Sequence, residues 1–310
     1  MHIAVVEPLG ISKEQFEQMG HDFASKGHTF SYSLDRNETE SALVDRMKDA
    51  DVVVISNIKL PATVLEQCPQ LKYLSVAFTG LDHIDLAYCK AHGIEVQNAS
   101  GYSTTAVSEL AIGLMIDLLR QITRLDGTIR QGEGRGMFLG RELRGKTVGV
   151  VGTGAIGTAT IRLLLAFGCK VMAWNRSRHA DVEAMGVDYC SLDDLLRKSD
   201  IVTLHTPLNE DTFHLIDAPQ LALMKPTALL INTARGNVAN IEAVAAALNA
   251  GKLAGAGFDV YETEPPLAQT HPLLGAKNAV CVPHVGYATR EAFDIRADIV
   301  MDHVHQFLDR

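Results

Sequence analysis

The chain has 310 residues, which at about 100 to 200 residues per domain suggests two domains or one large one. A composition of 47% hydrophobic and 21% charged residues excludes disordered and fibrous classes. Its 28 Lys and Arg against 37 Asp and Glu leave a formal charge of −9, which opposes attraction to nucleic acid phosphates and anionic membranes.

From the N-terminus, short β-rich runs at 2–7, 51–56, 73–77 and 94–97 alternate with helical stretches, an α/β rhythm. The start, Met1-His2-Ile3-Ala4-Val5-Val6-Glu7, lacks the basic and apolar regions of a signal peptide. No run reaches the roughly 18 apolar residues of a membrane span, so a soluble, cytoplasmic protein is expected. Residues 103–130 carry Val107, Leu110, Ala111, Leu114 and Leu118 at helical spacing, with Ser103 or Thr104 as N-cap, and predict one long helix bridging two domains. Residues 131–144, rich in Gly and Arg, read as a surface loop.

A second α/β rhythm follows, with strands at 146–151, 170–174, 201–205, 228–232, 255–260 and 279–282. Among its helices one runs over 158–167, and another is bounded by an Asn240 N-cap and a Gly251 stop. The pattern leaves the last helix, 291–308, free to pack on either domain. Cys68, Cys89, Cys169, Cys190 and Cys281 are odd in number and spaced too widely for a C-x-x-C pair, so reduced thiols and no metal site are expected.

Gly152-Thr153-Gly154-Ala155-Ile156-Gly157 places G-x-G-x-x-G directly after an apolar strand and before a helix, the context of a dinucleotide-binding turn. Gly152 would permit the tight turn, Gly154 the approach of a pyrophosphate and Gly157 close packing, while the helix N-terminus supplies N–H donors. After the next strand, an NAD-binding unit usually has an Asp or Glu for the ribose hydroxyls. Here stand Asn175, Arg176, Ser177 and Arg178. Two cations and no carboxylate attract a 2′-phosphate, which favours NADP(H) and leaves NAD(H) possible if the arginines are merely solvated. Arg235, Glu264 and His284 follow three successive strands, where open α/β sheets bind ligands.

Several ordered motifs together resemble the D-isomer-specific 2-hydroxyacid dehydrogenase family over nearly the whole chain. They are Thr79-Gly80-Leu81-Asp82-His83-Ile84-Asp85, the glycine turn, the 200–208 segment from Asp200 to Leu208, the Arg235 segment, the 259–265 segment from Asp259 to Pro265, and Pro283-His284-Val285-Gly286. The resemblance implies two doubly wound parallel-sheet domains: a flavodoxin-like catalytic domain, 1–98 plus 284–310, and a Rossmann domain, 99–283, inserted into it. It implies Arg235, Glu264 and His284 as the catalytic set, and Thr79 and Gly80 as backbone donors that join Arg235 on the substrate carboxylate. Thr206 and Pro207 match adenosine contacts, Thr233 and Asp259 match nicotinamide contacts, and Thr104, Ala155, Ile156 and Gly286 complete the implied coenzyme set. A homodimer joined through the helix after Ser103 is also implied.

Reduction of a 2-keto acid needs a hydride at C2 and a proton on oxygen, and His284 is the side chain suited to give that proton near neutrality. Glu264 would orient the imidazole and favour its charged form, and Arg235 would bind the carboxylate and polarise the ketone. Ser56-Asn57-Ile58-Lys59 and Gly101-Tyr102-Ser103-Thr104 look most like the glycerate dehydrogenase and hydroxypyruvate or glyoxylate reductase branch. The expected reaction is NADPH-dependent reduction of a small 2-keto acid to the D-2-hydroxy acid. The alternatives are an NAD-dependent D-2-hydroxyacid or phosphoglycerate dehydrogenase, and a dinucleotide-sensing, co-repressor-like interaction protein.

Overall fold

The computed structural model describes residues 1–310. The chain divides into two α/β units, Met1–Ser103 with Ala288–Arg310, and Thr104–Tyr287.

The first unit carries β1 (His2–Val5), β2 (Thr29–Tyr32), β3 (Val52–Ile55), β4 (Tyr73–Val76) and β5 (Glu95–Asn98). They form one sheet in the order β2-β1-β3-β4-β5 with every pair parallel, the flavodoxin-like order. β3 and β4 are buried along their whole length, as parallel strands covered on both faces must be. β2 was not expected from the sequence. It is an edge strand of alternating exposed and half-buried residues, held by the rings of Phe30 and Tyr32 stacking on Phe23 and Phe16 of the helix Lys13–Ser25. The last helix, Arg290–Leu308, lies on this sheet: Phe307 stacks on Tyr73 of β4, and Ser75 Oγ donates to the carbonyl of Val300.

The second unit carries β6 (Thr147–Val151), β7 (Lys170–Trp174), β8 (Asp188–Tyr189), β9 (Ile201–Leu204), β10 (Leu229–Asn232), β11 (Gly255–Phe258) and β12 (Ala279–Cys281). Its sheet is again parallel, in the order β12-β11-β10-β9-β6-β7-β8, a Rossmann arrangement with one further strand. The single long helix expected over 103–130 is instead two, Thr104–Arg120 and Ile122–Arg130, broken at Gln121 with φ 51°. Asp117 causes the break to hold, because its carboxylate accepts the Thr123 N–H at 2.8 Å and the Thr123 hydroxyl at 2.5 Å, capping a new helix. The first helix buries Ala111, Leu114, Met115 and Leu118, whereas the second buries nothing. The helix after the glycine turn starts at Ala155 and not at Thr158, since extended Gly154 is its N-cap.

The units change over at 103/104 and 287/288, against the expected 98/99 and 283/284. Tyr102 is buried in the first unit with the Arg296 guanidinium 5.7 Å from its ring, and the N–H groups of Val285 and Gly286 are tied to Asp259 of the second. No helix is long and apolar enough to cross a membrane.

Candidate active site

The glycine turn lies at the C-terminal end of β6. Gly152 has φ 98°, and a Cβ there would stand 2.7 Å from the backbone carbonyl of His205, so only glycine fits. A Cβ at Gly157 would stand 2.0 Å from the Gly152 carbonyl oxygen, which lets the helix Ala155–Ala166 begin hard against the turn. At Gly154 a Cβ would meet nothing within 4 Å, and Gly154 and Ala155 are exposed while Ile156 is half-buried. The turn thus presents open space in front of the free N–H groups of a helix N-terminus.

Beside it, at the ends of β9 and β10, the buried hydroxyls of Thr206 and Thr233 have no hydrogen-bond partner in the protein. Leaving a buried hydroxyl unpaired costs about 1 to 3 kcal/mol, so two together mark a place for a polar ligand. Pro207, next to Thr206, is exposed. His205 beneath the turn has Nε2 3.0 Å from Thr203 Oγ1 and Nδ1 out of solvent without a partner, and burial pushes its pKa down to about 4.

The turn after β7 carries the expected selectivity residues. Asn175 Nδ2 donates to the Ser177 carbonyl at 2.8 Å and lies 3.2 Å from His179 Nε2. Arg178 pairs with Glu183 at 2.8 Å, while exposed Arg176 makes no ion pair.

Arg235 follows β10 in extended backbone, and its Nη1 donates to the Ala234 carbonyl at 2.8 Å. Asn232 shapes this loop, donating to the Arg235 carbonyl and accepting from the Ala234 N–H. A Cβ at Gly236 would stand 1.9 Å from the Tyr261 carbonyl carbon, so glycine there lets the Arg235 loop lie directly on the backbone leading to Glu264. His284 follows β12 with φ 53°, and its Nδ1 stands 2.8 and 3.0 Å from the two Glu264 oxygens. Glu264 is largely exposed; His284 keeps 15% of its side chain accessible. Buried Asp259, at the end of β11, accepts the N–H groups of Val285 (2.7 Å) and Gly286 (2.8 Å) and so fixes the backbone beyond His284. Burial pushes its carboxyl up and those N–H groups pull it down. A Cβ at Gly286 would lie 2.7 Å from Asp259 Oδ2.

Arg235, Glu264 and His284 are therefore all at C-terminal strand ends of one sheet, with Glu264 and His284 in contact. Thr104, in the same unit, opens the helix Thr104–Arg120. In the first unit Thr79 is exposed and Gly80 half-buried, and Asn98 Nδ2 donates to the Thr79 carbonyl. Asn232 and His205 were missed by sequence reasoning; a polar Asn closing the apolar run Leu229-Leu230-Ile231 was the one signal available.

Residues 112–286 match the family described as D-isomer specific 2-hydroxyacid dehydrogenase, NAD binding domain. A glyoxylate reductase of Thermofilum pendens is 42% identical over 261 residues, covering 82% of this chain and 76% of that one. The chain belongs to the D-isomer-specific 2-hydroxyacid dehydrogenases. Glyoxylate and hydroxypyruvate reductases recur among the relatives of this dehydrogenase. A D-3-phosphoglycerate dehydrogenase of Methanocaldococcus jannaschii is 37% identical over 274 residues, 87% of this chain but 52% of that longer one. The solved acyclic imino acid reductase Bsp5, in complex with NADPH and D-Arg, is 28% identical with a TM-score of 0.88 over 100% of this chain and 97% of its own.

As an oxidoreductase of this family the chain uses a nicotinamide dinucleotide, and its own residues suit one: the open cradle at Gly154 matches a pyrophosphate, and the unpaired Thr206 and Thr233 hydroxyls match further polar groups of the same ligand.

Proposed function

We propose that this dehydrogenase reduces small unphosphorylated 2-keto acids, glyoxylate and hydroxypyruvate among them, to the D-2-hydroxy acid with NADPH preferred over NADH. The observation that carries the proposal is the His284–Glu264 pair at 2.8 Å. An ionised carboxylate only accepts, so Nδ1 carries the proton toward Glu264, and the proposal assigns Nε2 to the substrate oxygen. As an imidazolium, His284 would give its Nε2 proton to the keto oxygen, and a coenzyme held at the glycine turn would supply the hydride for C2. Glu264 holds the ring in that orientation. Arg235 binds the substrate carboxylate and lowers the cost of negative charge on the keto oxygen. The N–H groups of Thr79 and Gly80 are proposed as further carboxylate donors on the resemblance alone.

Gly152, Gly154, Ala155, Ile156 and Gly157 would hold the pyrophosphate, Thr206 and Pro207 the adenosine side, and Thr104, Thr233, Asp259 and Gly286 the nicotinamide side. The preference for NADPH rests on neutral Asn175 and Ser177 and on Arg176, whose charge has no carboxylate partner, with Arg178 shared with Glu183. A substrate phosphate has no proposed cationic partner beyond Lys59, and burying its charges unpaired would cost several kcal/mol.

Initial rates with glyoxylate, hydroxypyruvate, 3-phosphohydroxypyruvate and an aromatic keto acid, each with NADPH and NADH and with chiral analysis of the products, test the reading. The small acids should lead in kcat/KM and give D-products. A lead for the phosphorylated acid would turn the assignment to a phosphoglycerate dehydrogenase.

A homodimer is part of the proposal: Ile122, Ile129, Met137 and Leu139 stand 53%, 66%, 95% and 82% exposed along the second helix and the loop after it. Sedimentation equilibrium should give twice the 33.6 kDa chain mass. A cytoplasmic setting, where thiols stay reduced, suits five cysteines that form no disulfide.

A further inference from the structure

Tyr189 lies on the edge strand β8, ten residues after His179 and 36 after Thr153, and it touches both the 175–179 turn and the glycine turn. Its hydroxyl donates to Thr153 Oγ1 at 2.8 Å, inside the glycine turn, and accepts the backbone N–H of His179 at 3.4 Å, at the end of the 175–179 turn. The Arg178 guanidinium stands 5.5 Å from the Tyr189 ring centroid while pairing with Glu183 at 2.8 Å. Thr153 is itself buried, and its carbonyl accepts the Thr158 hydroxyl at 3.0 Å, so the glycine-turn end of the bridge is anchored. The other end is closed on itself by Asn175, which reaches both Ser177 and His179. One hydroxyl thus links a firm turn to a largely exposed one.

The 5′-pyrophosphate and the 2′-phosphate of NADPH hang on the same ribose, so their separation is fixed by covalent structure. A protein that binds both gains most when its two anion-binding turns are already held at a matching separation, because ordering them on binding would cost free energy. NADH has only the first group and makes no such demand. We propose that the Tyr189 hydroxyl is a positioning group for coenzyme selection, holding the 175–179 turn in register with the glycine turn so that one NADPH engages both. This rests on the reading of Asn175 to Arg178 as the 2′-phosphate turn.

The experiment is equilibrium binding of NADP+ and of NAD+ to the coenzyme-free protein, followed by the fluorescence of Trp174, the single tryptophan of the chain, and by calorimetry. Tyr189→Phe keeps the ring under Arg178 and removes only the hydroxyl. It should weaken NADP+ about fivefold and NAD+ by less than about twofold. Thr153→Ala, which removes the acceptor, should give a similar selective loss, and the double variant little more than either single one. If wild type prefers NADP+ but Tyr189→Phe weakens both coenzymes alike, or neither, the positioning role is overturned and the coenzyme reading stands. If wild type binds NAD+ more tightly, the coenzyme reading falls and the inference falls with it.

Discussion

Both units are parallel sheets with one point where neighbouring strands send their connections to opposite sides, the place where open α/β sheets bind ligands. In the first unit it lies between β1 and β3, and the chain fills it. Glu7, fully buried after β1, accepts the N–H groups of Ser56 (2.6 Å) and Ile58 (3.2 Å) and pairs with Arg36 at 2.9 Å. Buried Arg296 reaches Ser56 Oγ and the carbonyls of Ala77 and Leu9. In the second unit the corresponding point lies between β6 and β9, and there the chain leaves an uncovered glycine turn and unpaired hydroxyls. The same topology yields a filled point in one unit and a coenzyme cradle in the other, so local residues and not the fold decide where a ligand goes.

The largest effect that would sharpen this contrast is on stability. Glu7→Ala leaves two buried N–H groups unpaired and should cost about 4 kcal/mol in urea unfolding, while NADP+ affinity of the folded protein stays within twofold. A large loss of coenzyme affinity at unchanged stability would show that the filled point is not merely structural.

His205, behind the open point, gives the next largest. Its folded pKa of about 4 lies below the ordinary 6.5, so its contribution is complete above pH 6.5. As pH falls from 6.5 toward 4 the unfolded chain takes up a proton that the folded chain refuses, and stability drops. For a half-buried ring that amounts to about 2 kcal/mol. Unfolding free energies at pH 7 and pH 4 should differ by that much more in wild type than in His205→Gln; equal differences would remove His205 from the acid response.

The smallest is on selectivity. Asn175→Asp adds a charge facing the proposed 2′-phosphate turn and should move the NADPH-to-NADH ratio of kcat/KM about tenfold toward NADH, or ~1.4 kcal/mol. No movement would detach Asn175 from coenzyme choice.

Much of this was legible in the sequence for a physical reason. β3, β4, β9 and β10 are covered on both faces and read as mainly apolar runs, interrupted only by Ser75, Thr203 and the closing Asn232, and the glycine turn announces itself because no other residue tolerates a carbonyl 2.0 Å from its Cβ. β2 and β8 escaped because an edge strand of four or two half-exposed residues has almost no periodicity to show. The break at Gln121 escaped because apolar spacing runs through it, the cap coming from Asp117 a turn earlier. Tyr189 and Asn232 act through hydrogen bonds to loops, which composition and spacing do not encode.

The proposed chemistry depends most on His284 as the proton donor. Turnover of hydroxypyruvate with saturating NADPH, measured side by side in wild type and His284→Ala, should show kcat falling by about 10² to 10⁴ with NADPH affinity nearly intact. Turnover close to wild type in His284→Ala would contradict it.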